Sequence, residues 1–387
     1  MSFGDLSLVC LVALAGPLLA LPRGFRVPVV VGEIVAGLVI GTTGFGWVDP
    51  ADPTFTVLAD IGFALVMFVA GSHVPVRALG PTIGVGLYRA VGTGVLAAGA
   101  GALLASLTDT DHPAVYAVLI ASSSAALVLP VLDGAKLSGP DVNALIPQVA
   151  IADAAAIVAL PLVIDPDHAF RAALGAVAVI AAALVLYVVL GTLERNGVRR
   201  AVHDVSEERR FALELRIQLV ILFALAGIAV ALHVSVMLAG FSFGLAVAAI
   251  GEPRRLARQL FALTEGFLGP VFFVWLGATL DLSALASSPS LVVLGVGLGV
   301  GAALVHLVWA VVPVAHERQP VGLALLAAAQ LGVPVAAATV GTQLDVLRDG
   351  ESAAFLLGAL ITIALTVLGA NLATRAQAAE AQPDATT

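Results

Sequence analysis

Long apolar runs separated by short polar connectors dominate the pattern of this chain. A helix needs roughly 20 residues to cross the hydrocarbon core of a bilayer, and thirteen runs come close to that length or exceed it. The pattern therefore predicts thirteen transmembrane helices, at approximately residues 5–22, 27–43, 55–72, 81–107, 113–132, 144–164, 168–193, 211–232, 234–250, 260–280, 289–314, 320–342 and 352–373.

Composition supports an all-α integral membrane protein. The 387 residues are 60% hydrophobic and 11% charged, with a mean hydropathy of +1.06, whereas a soluble domain is about a quarter charged. The first run lacks the basic leading segment of a cleaved signal peptide, so we expect it to be retained as a helix. Cys10 is the only cysteine, which excludes an intrachain disulfide and leaves the compartment open.

The connectors between the predicted helices alternate in charge. One set carries most of the eighteen basic residues, and the other set is mainly acidic. Basic loops remain in the cytoplasm, so an odd number of spans places the N-terminus outside and the C-terminus inside, in a multi-pass protein of the plasma membrane. Arg89 and Arg216 fall inside predicted spans, near cytoplasmic ends, and we expect both side chains to snorkel to the interface.

The two halves of the chain resemble each other. Three pairs of motifs recur at a nearly constant offset: VPVVVGEIVAGLVIG with VSVMLAGFSFGLAVA, ADIGFALVMFVAGSHVPVRAL with TEGFLGPVFFVWLGATLDLSAL, and VLIASSSAALVLPVL with ALLAAAQLGVPVAAA. Six spans repeated across one linking span have opposite orientations, as in secondary transporters.

The predicted domain covers residues 1–374, with repeat one at about 5–164, the linking helix at about 168–193 and repeat two at about 211–373. A short cytoplasmic tail, 375–387, follows, so we expect any regulatory module to be a separate chain.

The stretch 146–164 of the sixth predicted span contains a single ionisable residue, Asp153, near its middle. A charge at that depth is costly and is rarely without a function. Spans five and twelve hold the other polar groups of interest, since Ser123 and Ser124 precede Pro130, and Gln330 precedes a Gly and a Pro. We expect both helices to be broken there, with their oxygens beside Asp153 as ligands for a monovalent ion. The alternative for the serines is that small residues permit close helix packing.

The same residues resemble the monovalent cation:proton antiporter-2 family, which carries the sodium/hydrogen exchanger transmembrane domain. The stretches that carry the resemblance, in chain order, are PVVVGEIVAGLVIGTTGFG, LADIGFALVMFVAG, SSSAALVLPVL, the Asp153 helix, MLAGFSFGLAV and PVFFVWLGATLDL. The resemblance implies thirteen spans with two inverted repeats and broken crossing helices. It also implies a core domain and a dimerisation domain, an elevator-like motion, a homodimer, and exchange of Na⁺ or K⁺ for H⁺.

The chain departs from the family pattern near the predicted site. The family commonly has two adjacent acids, of which the second carries the ion, and here the pair reads Ala152–Asp153. The lysine that pairs with the first acid is replaced at the matching position by His306. The absence of the first acid and the absence of the lysine fit together, because either residue without the other would be an unpaired buried charge. His306 is either a pH sensor or a neutral imidazole bonded to a backbone carbonyl. Glu33 tunes the site or, like Glu265, braces the broken helices.

One carboxylate that holds either a proton or a partly dehydrated cation is enough to couple two opposite fluxes. We therefore expect a secondary antiporter that exchanges Na⁺ or K⁺ for H⁺ one for one by alternating access. We expect no cofactor, no metal beyond the transported cation and no nucleic acid partner. The alternatives are a K⁺ efflux system with a separate regulatory subunit, or a degenerate transporter fold that acts as a sensor or scaffold. No P-loop, acid pair or nucleophile–base pattern points to an ATP-driven pump or an enzyme.

Overall fold

The computed structural model describes residues 1–380 except 22–28, 73, 75–81, 198–210, 233, 252–253, 281 and 316. Within these residues the only paired extended segment is an isolated bridge between Val314 and Glu317, so the predicted all-α fold is confirmed. The helices in chain order are α1 (Phe3–Ala13), α2 (Ala15–Ala20), α3 (Val29–Ile40), α4 (Pro53–Ser72), α5 (Ile83–Thr108), α6 (Pro113–Ala121), α7 (Ala125–Gly134), α8 (Pro140–Ile164), α9 (Ala169–Arg195), α10 (Leu213–Ala231), α11 (Val236–Ile250), α12 (Arg254–Leu263), α13 (Gly269–Thr279), α14 (Leu282–Ser287), α15 (Pro289–Val311), α16 (Val321–Ala327), α17 (Gly332–Gln343) and α18 (Glu351–Glu380).

Among the described residues, eleven stretches are helical, long and apolar enough to cross a membrane. The other two predicted spans correspond to α3 and α11, which have 12 and 15 residues and reach about 18 and 23 Å at 1.5 Å per residue. The chain is thus a multi-pass membrane protein, and the count of thirteen stays a prediction. Helix α18 continues through residues 375–380 of the predicted tail. The basic connectors at 22–28, 75–81 and 198–210 lie outside the described residues.

The chain divides into two compact units, each made of two separate stretches. The first unit comprises Met1–Arg77 and Asp167–Asp281. In it α4 packs against α11, and α3 packs against α13. The second pair is held close by two glycines, since a Cβ on Gly37 would lie 2.1 Å from the Val274 carbonyl oxygen, and one on Gly277 would lie 2.0 Å from that of Ile34. Small residues at such contacts let helix backbones approach each other directly.

The second unit comprises Ala78–Pro166 and Leu282–Thr387. Its helices α5, α6 and α8 pack together, and so do α15, α16 and α18. The α16–α17 region lies at the centre of this unit, because every residue from 322 to 338 is buried. Polar or broken backbone at membrane depth is tolerated only where protein or a water-filled cavity surrounds it, so this unit is the one suited to hold a polar site.

The two arginines predicted to snorkel behave differently. Arg216 on α10 is exposed, as expected. Arg89 on α5 is only 2% exposed and is among the largest fully buried side chains of the chain. The prediction for Arg89 was therefore wrong, because its side chain points into the second unit instead of along the lipid-facing surface.

A buried glutamate connects the beginnings of two helices in the second unit. Glu351, the first residue of α18, is fully buried. It accepts hydrogen bonds from the Tyr116 hydroxyl (2.6 Å), from Nδ1 of His112 (2.9 Å) and from the Arg348 backbone N–H (3.0 Å). His112 and Tyr116 lie at the start of α6, so this single carboxylate fixes α6 relative to α18.

We predict that Glu351→Ala lowers the stability of the detergent-purified protein by about 3 kcal/mol, because three buried or partly buried donors lose their acceptor. Tyr116→Phe, which removes one donor, should cost about 1 kcal/mol. Thermal unfolding followed by circular dichroism measures both, with Asp349→Asn in the neighbouring exposed loop as the matched control. A Glu351→Ala protein that unfolds at the native temperature would contradict the assignment.

Candidate functional site

The fifth predicted span is interrupted between α6 and α7 by three serines. Ser122 and Ser124 have extended backbone conformations, with ψ angles of 150° and 103°. The Ser122 hydroxyl donates a 2.8 Å hydrogen bond to the Leu119 carbonyl, which lies in the last turn of α6 and needs a donor. The predicted break is confirmed, but Pro130 does not cause it, since Pro130 lies inside α7. The side-chain bond at the end of α6 comes from Ser122.

Asp153 lies in the middle of α8 and is 5% exposed. Its Oδ2 accepts a 2.8 Å hydrogen bond from the backbone N–H of Ala125, the first residue of α7. The first N–H groups of a helix have no partner within it, and the helix dipole places partial positive charge at the same end. The break in span five therefore supplies both the donor and the positive potential that a buried carboxylate requires.

A second break, between α16 and α17, lies against the first one. The Ser123 hydroxyl donates to the carbonyl of Ala327, the last residue of α16. In the other direction, Nε2 of Gln330 donates to the Leu119 carbonyl and, at 3.5 Å, to that of Ser122. Each break thus supplies a side chain that satisfies backbone carbonyls freed by the other break.

Four of the predicted site residues belong to one region of the second unit. Ser124 is the N-cap residue of α7, directly before Ala125, and its side chain makes no capping hydrogen bond. The side chains of Ser123 and Gln330 donate hydrogen bonds from one break to the other. Their side-chain oxygens are left to act as acceptors. Within the described part of the chain, no group of three His, Cys, Asp or Glu residues could hold a metal ion. Asp153 therefore belongs to no such group.

The two predicted tuning residues have different positions. His306 on α15 is 1% exposed, and its Nδ1 lies 2.8 Å from the Ala302 carbonyl of the same helix. A carbonyl can only accept, so Nδ1 carries a proton; this is the bond expected of the neutral imidazole in the second of the two readings. Glu33 lies on α3 of the first unit, where its charge interacts with that of Glu265. Glu265 belongs to the same unit, whereas both breaks belong to the second unit. That these two glutamates brace the broken helices stays a prediction.

Ala152, at the position where the resemblance places the first acid, lines an apolar hollow of about 290 Å³. The hollow lies between α5, α6 and α8 and is lined by alanine, valine, isoleucine and glycine, among them Ala90 and Ala117. No polar side chain of the hollow could pair with an acid at position 152. The local packing therefore suits the small residue that is present.

Two partners of the site were not anticipated from the sequence. One is the N–H of Ala125, which no side-chain pattern reveals. The other is Thr362 on α18, whose Oγ1 accepts a 3.2 Å hydrogen bond from the Gln330 N–H and donates to the Ala359 carbonyl. The signal available for Thr362 was its position with Thr366 on one face of an otherwise apolar span, where both hydroxyls bond to carbonyls one turn earlier.

The buried carboxylate of Asp153 meets the start of the half-helix α7, and two broken helices touch beside it. In a multi-pass helical protein this is the architecture of ion-coupled secondary transporters. The family described as "Sodium/hydrogen exchanger, transmembrane" matches residues 10–374, and the chain belongs to that family. The resemblance noted from the sequence motifs is thereby confirmed.

Two known proteins are similar to the chain over nearly its whole length. The "Putative Na(+)/H(+) antiporter YjbQ" of Bacillus subtilis (strain 168) is 25% identical over 389 residues, which cover 94% of this chain and 62% of the relative. This chain thus spans less than two thirds of that protein. The solved structure of the sodium proton antiporter MjNhaP1 from Methanocaldococcus jannaschii matches with a TM-score of 0.69, at 17% identity, over 96% of each chain. It shows that the two chains share a fold.

We predict that Gln330→Met, which keeps the side-chain volume but removes the amide, destabilises the protein by about 1–3 kcal/mol, because the buried carbonyl of Leu119 loses one of its donors and that of Ser122 loses the donor from Gln330. Thermal unfolding in detergent measures the effect. Gln377→Met, at the partly exposed end of α18, is the control and should unfold at the native temperature. Equal unfolding temperatures for Gln330→Met and the native protein would show that the hydrogen bonds of the Gln330 amide do not contribute to stability.

Proposed function

We propose that this chain exchanges a monovalent cation, Na⁺ or K⁺, for H⁺ across the plasma membrane by alternating access, with Asp153 as the single carboxylate carrier. The observation that carries the proposal is the hydrogen bond from the Ala125 N–H to Asp153, which holds an isolated carboxylate at the start of a half-helix in the middle of the second unit. Membership in the sodium/hydrogen exchanger family and the similarity to two proteins named as sodium/proton antiporters support it.

The geometry lets Asp153 bind either of two positive ions. Burial disfavours the ionised carboxylate, whereas the N–H bond and the helix terminus favour it. Because these effects oppose each other, neither the charged nor the protonated form of Asp153 is excluded. The N–H bond engages Oδ2 and leaves Oδ1 for a proton or a cation. One carboxylate cannot hold both ions well, so binding of one releases the other.

The coordination that the site offers suits a cation of low charge. Beside Asp153 the proposed ligands are neutral oxygens, namely the hydroxyls of Ser123 and Ser124 and the side-chain carbonyl of Gln330. Hard cations prefer oxygen ligands, and with a single carboxylate the occupied site is neutral for a monovalent ion. A divalent ion would leave an uncompensated charge at membrane depth, which is expensive.

Exchange with one carrier carboxylate should be one for one and electroneutral. Ala152 replaces the first acid, and His306 is bonded to its own helix, so we propose that neither position carries a second proton. We further propose that the protein works as a homodimer with its N-terminus outside and its C-terminus in the cytoplasm. The whole length of such a transporter can include more than this chain, since the Bacillus relative is longer.

We predict that everted vesicles containing the native protein show dequenching of a pH-sensitive dye when NaCl or KCl is added, and that Asp153→Asn reduces the response to that of empty vesicles. The amide keeps the shape of the side chain but binds neither a proton nor a cation at neutral pH. Asp133→Asn, an exposed acid on α7, is the matched control and should respond like the native protein.

Two results of this assay would contradict the proposal. Equal responses from native protein and Asp153→Asn would rule out Asp153 as the carrier. Native protein that reaches the membrane but responds to neither cation would favour a sensor or scaffold instead of a transporter. Comparing Na⁺ with K⁺ in the same vesicles assigns the cation.

We predict that ion exchange by purified protein on a solid-supported membrane produces no net transport current, because one charge moves in each direction per cycle. The measurement compares the current after a Na⁺ jump with that of Asp153→Asn, while a pH dye records the exchange in parallel proteoliposomes. A current that accompanies the exchange and vanishes in Asp153→Asn would overturn the one-for-one stoichiometry without affecting the identity of the carrier.

A further inference from the structure

A second group of buried polar side chains lies in the second unit, apart from the residues around Asp153. Arg89 on α5, Gln148 on α8 and Gln319, just before α16, are exposed by only 2%, 1% and 1%. The function proposed for Asp153 uses none of them. Long polar side chains buried this completely need a physical explanation.

Hydrogen bonds and one close contact connect this group into a ring that begins and ends on α5. Nε2 of Gln319 donates to Oε1 of Gln148 at 3.1 Å, and the Gln319 N–H donates to the Trp309 carbonyl at 2.9 Å. Trp309 Nε1 then donates to Oγ1 of Thr93 on α5 at 2.8 Å. At the other end, a Cβ on Gly86 of α5 would lie 2.7 Å from the Gln148 backbone nitrogen, so α5 and α8 touch there.

The spacing of residues on α5 places Arg89 on the helix face where this ring begins and ends. Gly86, Arg89 and Thr93 follow one another at intervals of three and four residues, so they share one face of α5. Long side chains on a helix lean back over the preceding turn, which directs the Arg89 guanidinium toward Gly86 and the adjoining Gln148. The ring of Gly86, Thr93, Gln148, Trp309 and Gln319 is called the arginine ring below.

The arginine ring contains more hydrogen-bond donors than the protein can satisfy. Nε and Nη1 of Arg89 and Nε2 of Gln148 are buried and have no partner among the described residues, and Oε1 of Gln319 is the matching acceptor without a donor. Three unpartnered donors, two of them on a cation, face one unpartnered acceptor. A buried charge without a bonded counterion costs several kcal/mol, so this excess of donors calls for a negatively charged partner.

The acids nearest to Arg89 do not fill that role. The charges of Asp141, at the start of α8, and of the exposed Glu317 act on Arg89. Neither forms a hydrogen bond with Nε or Nη1 of Arg89. Their negative charges favour the buried guanidinium from a distance, and they also disfavour any guest that carries more than one negative charge.

We propose that the arginine ring binds one small monovalent anion of the size and chemistry of chloride. The anion accepts hydrogen bonds from the Arg89 guanidinium and from Nε2 of Gln148, and it neutralises the buried arginine. Gln148 precedes Asp153 by five residues on α8, about 8 Å along the helix axis, so the site is separate from the carrier. Its occupancy does not depend on whether the chain transports cations.

The test is the thermal unfolding temperature of the full chain in detergent, measured while chloride replaces gluconate at constant sodium concentration and ionic strength. A ligand that binds only the folded state raises the unfolding temperature as its concentration rises. We expect a rise of several degrees that saturates, and a similar rise with bromide. Arg89→Met should abolish the rise and Gln148→Leu should weaken it, whereas Arg216→Gln, a change at an exposed arginine of the first unit, should retain it.

Bromide provides a direct measurement on the native protein, which keeps the test decisive if Arg89→Met does not fold. Anomalous scattering from crystals grown in bromide should show one bromide within hydrogen-bond distance of Arg89 and Gln148. A native protein whose unfolding temperature does not respond to chloride overturns the proposal. So does a chloride response that persists in Arg89→Met, or the absence of bromide from the arginine ring.

Discussion

The contact between the Asp153 carboxylate and the N–H of Ala125 is the constraint on which the second unit depends. A carboxylate at membrane depth needs donors, and an unbroken helix has none to offer because its N–H groups are bonded internally. Breaking span five at Ser122–Ser124 frees those groups but also leaves backbone carbonyls without donors. The rest of the site consists of the bonds that satisfy these carbonyls.

The two breaks solve this problem for each other. The Ser123 hydroxyl donates to a carbonyl at the end of α16, and the Gln330 amide donates to one at the end of α6. Thr362 on α18 accepts a hydrogen bond from the backbone N–H of Gln330. In lipid no water is available to replace any of these partners, which explains why the segment around the second break is completely enclosed by protein. Glu351 adds a further connection at the helix starts, from α18 to Tyr116 and His112 of α6.

The second unit illustrates two ways to manage ionisable groups inside a membrane protein. At Ala152 the potential for a second charge has been removed, and small apolar residues line the space around it. His306 is kept within its own helix by the Ala302 carbonyl. Arg89, in contrast, keeps a guanidinium in the interior, where its Nε and Nη1 have no hydrogen-bond partner among the described residues. Asp153 remains the carboxylate around which the polar contacts of the breaks are organised.

Much of this organisation was predictable from local properties of the chain. Hydropathy located the helical runs, because the length of an apolar run reflects the thickness of the bilayer. The isolation of Asp153 in an apolar run and the serines of span five indicated where the site lies. The cause of the break was misjudged, because Pro130 was expected to interrupt the helix, whereas it lies inside α7 and the break occurs at the serines. The Ser122 hydroxyl competes there for the backbone carbonyl of Leu119. Arg89 was misjudged because a periodic pattern does not show which face of a membrane helix meets protein.

The amino-acid sequence by itself determined the class of fold and the family, and it singled out Asp153 as the candidate carboxylate, since these depend on the type and spacing of neighbouring residues. Only the tertiary structure decided the partners. The donor to Asp153 comes from 28 positions away, and the acceptor of Gln330 from 211 positions away. Such pairs are chosen by which helix ends meet in the packed unit, and backbone groups, which every residue carries, leave no mark in the sequence. The physical reason is that a hydrogen bond depends on position and direction in space, whereas the sequence records only composition and order.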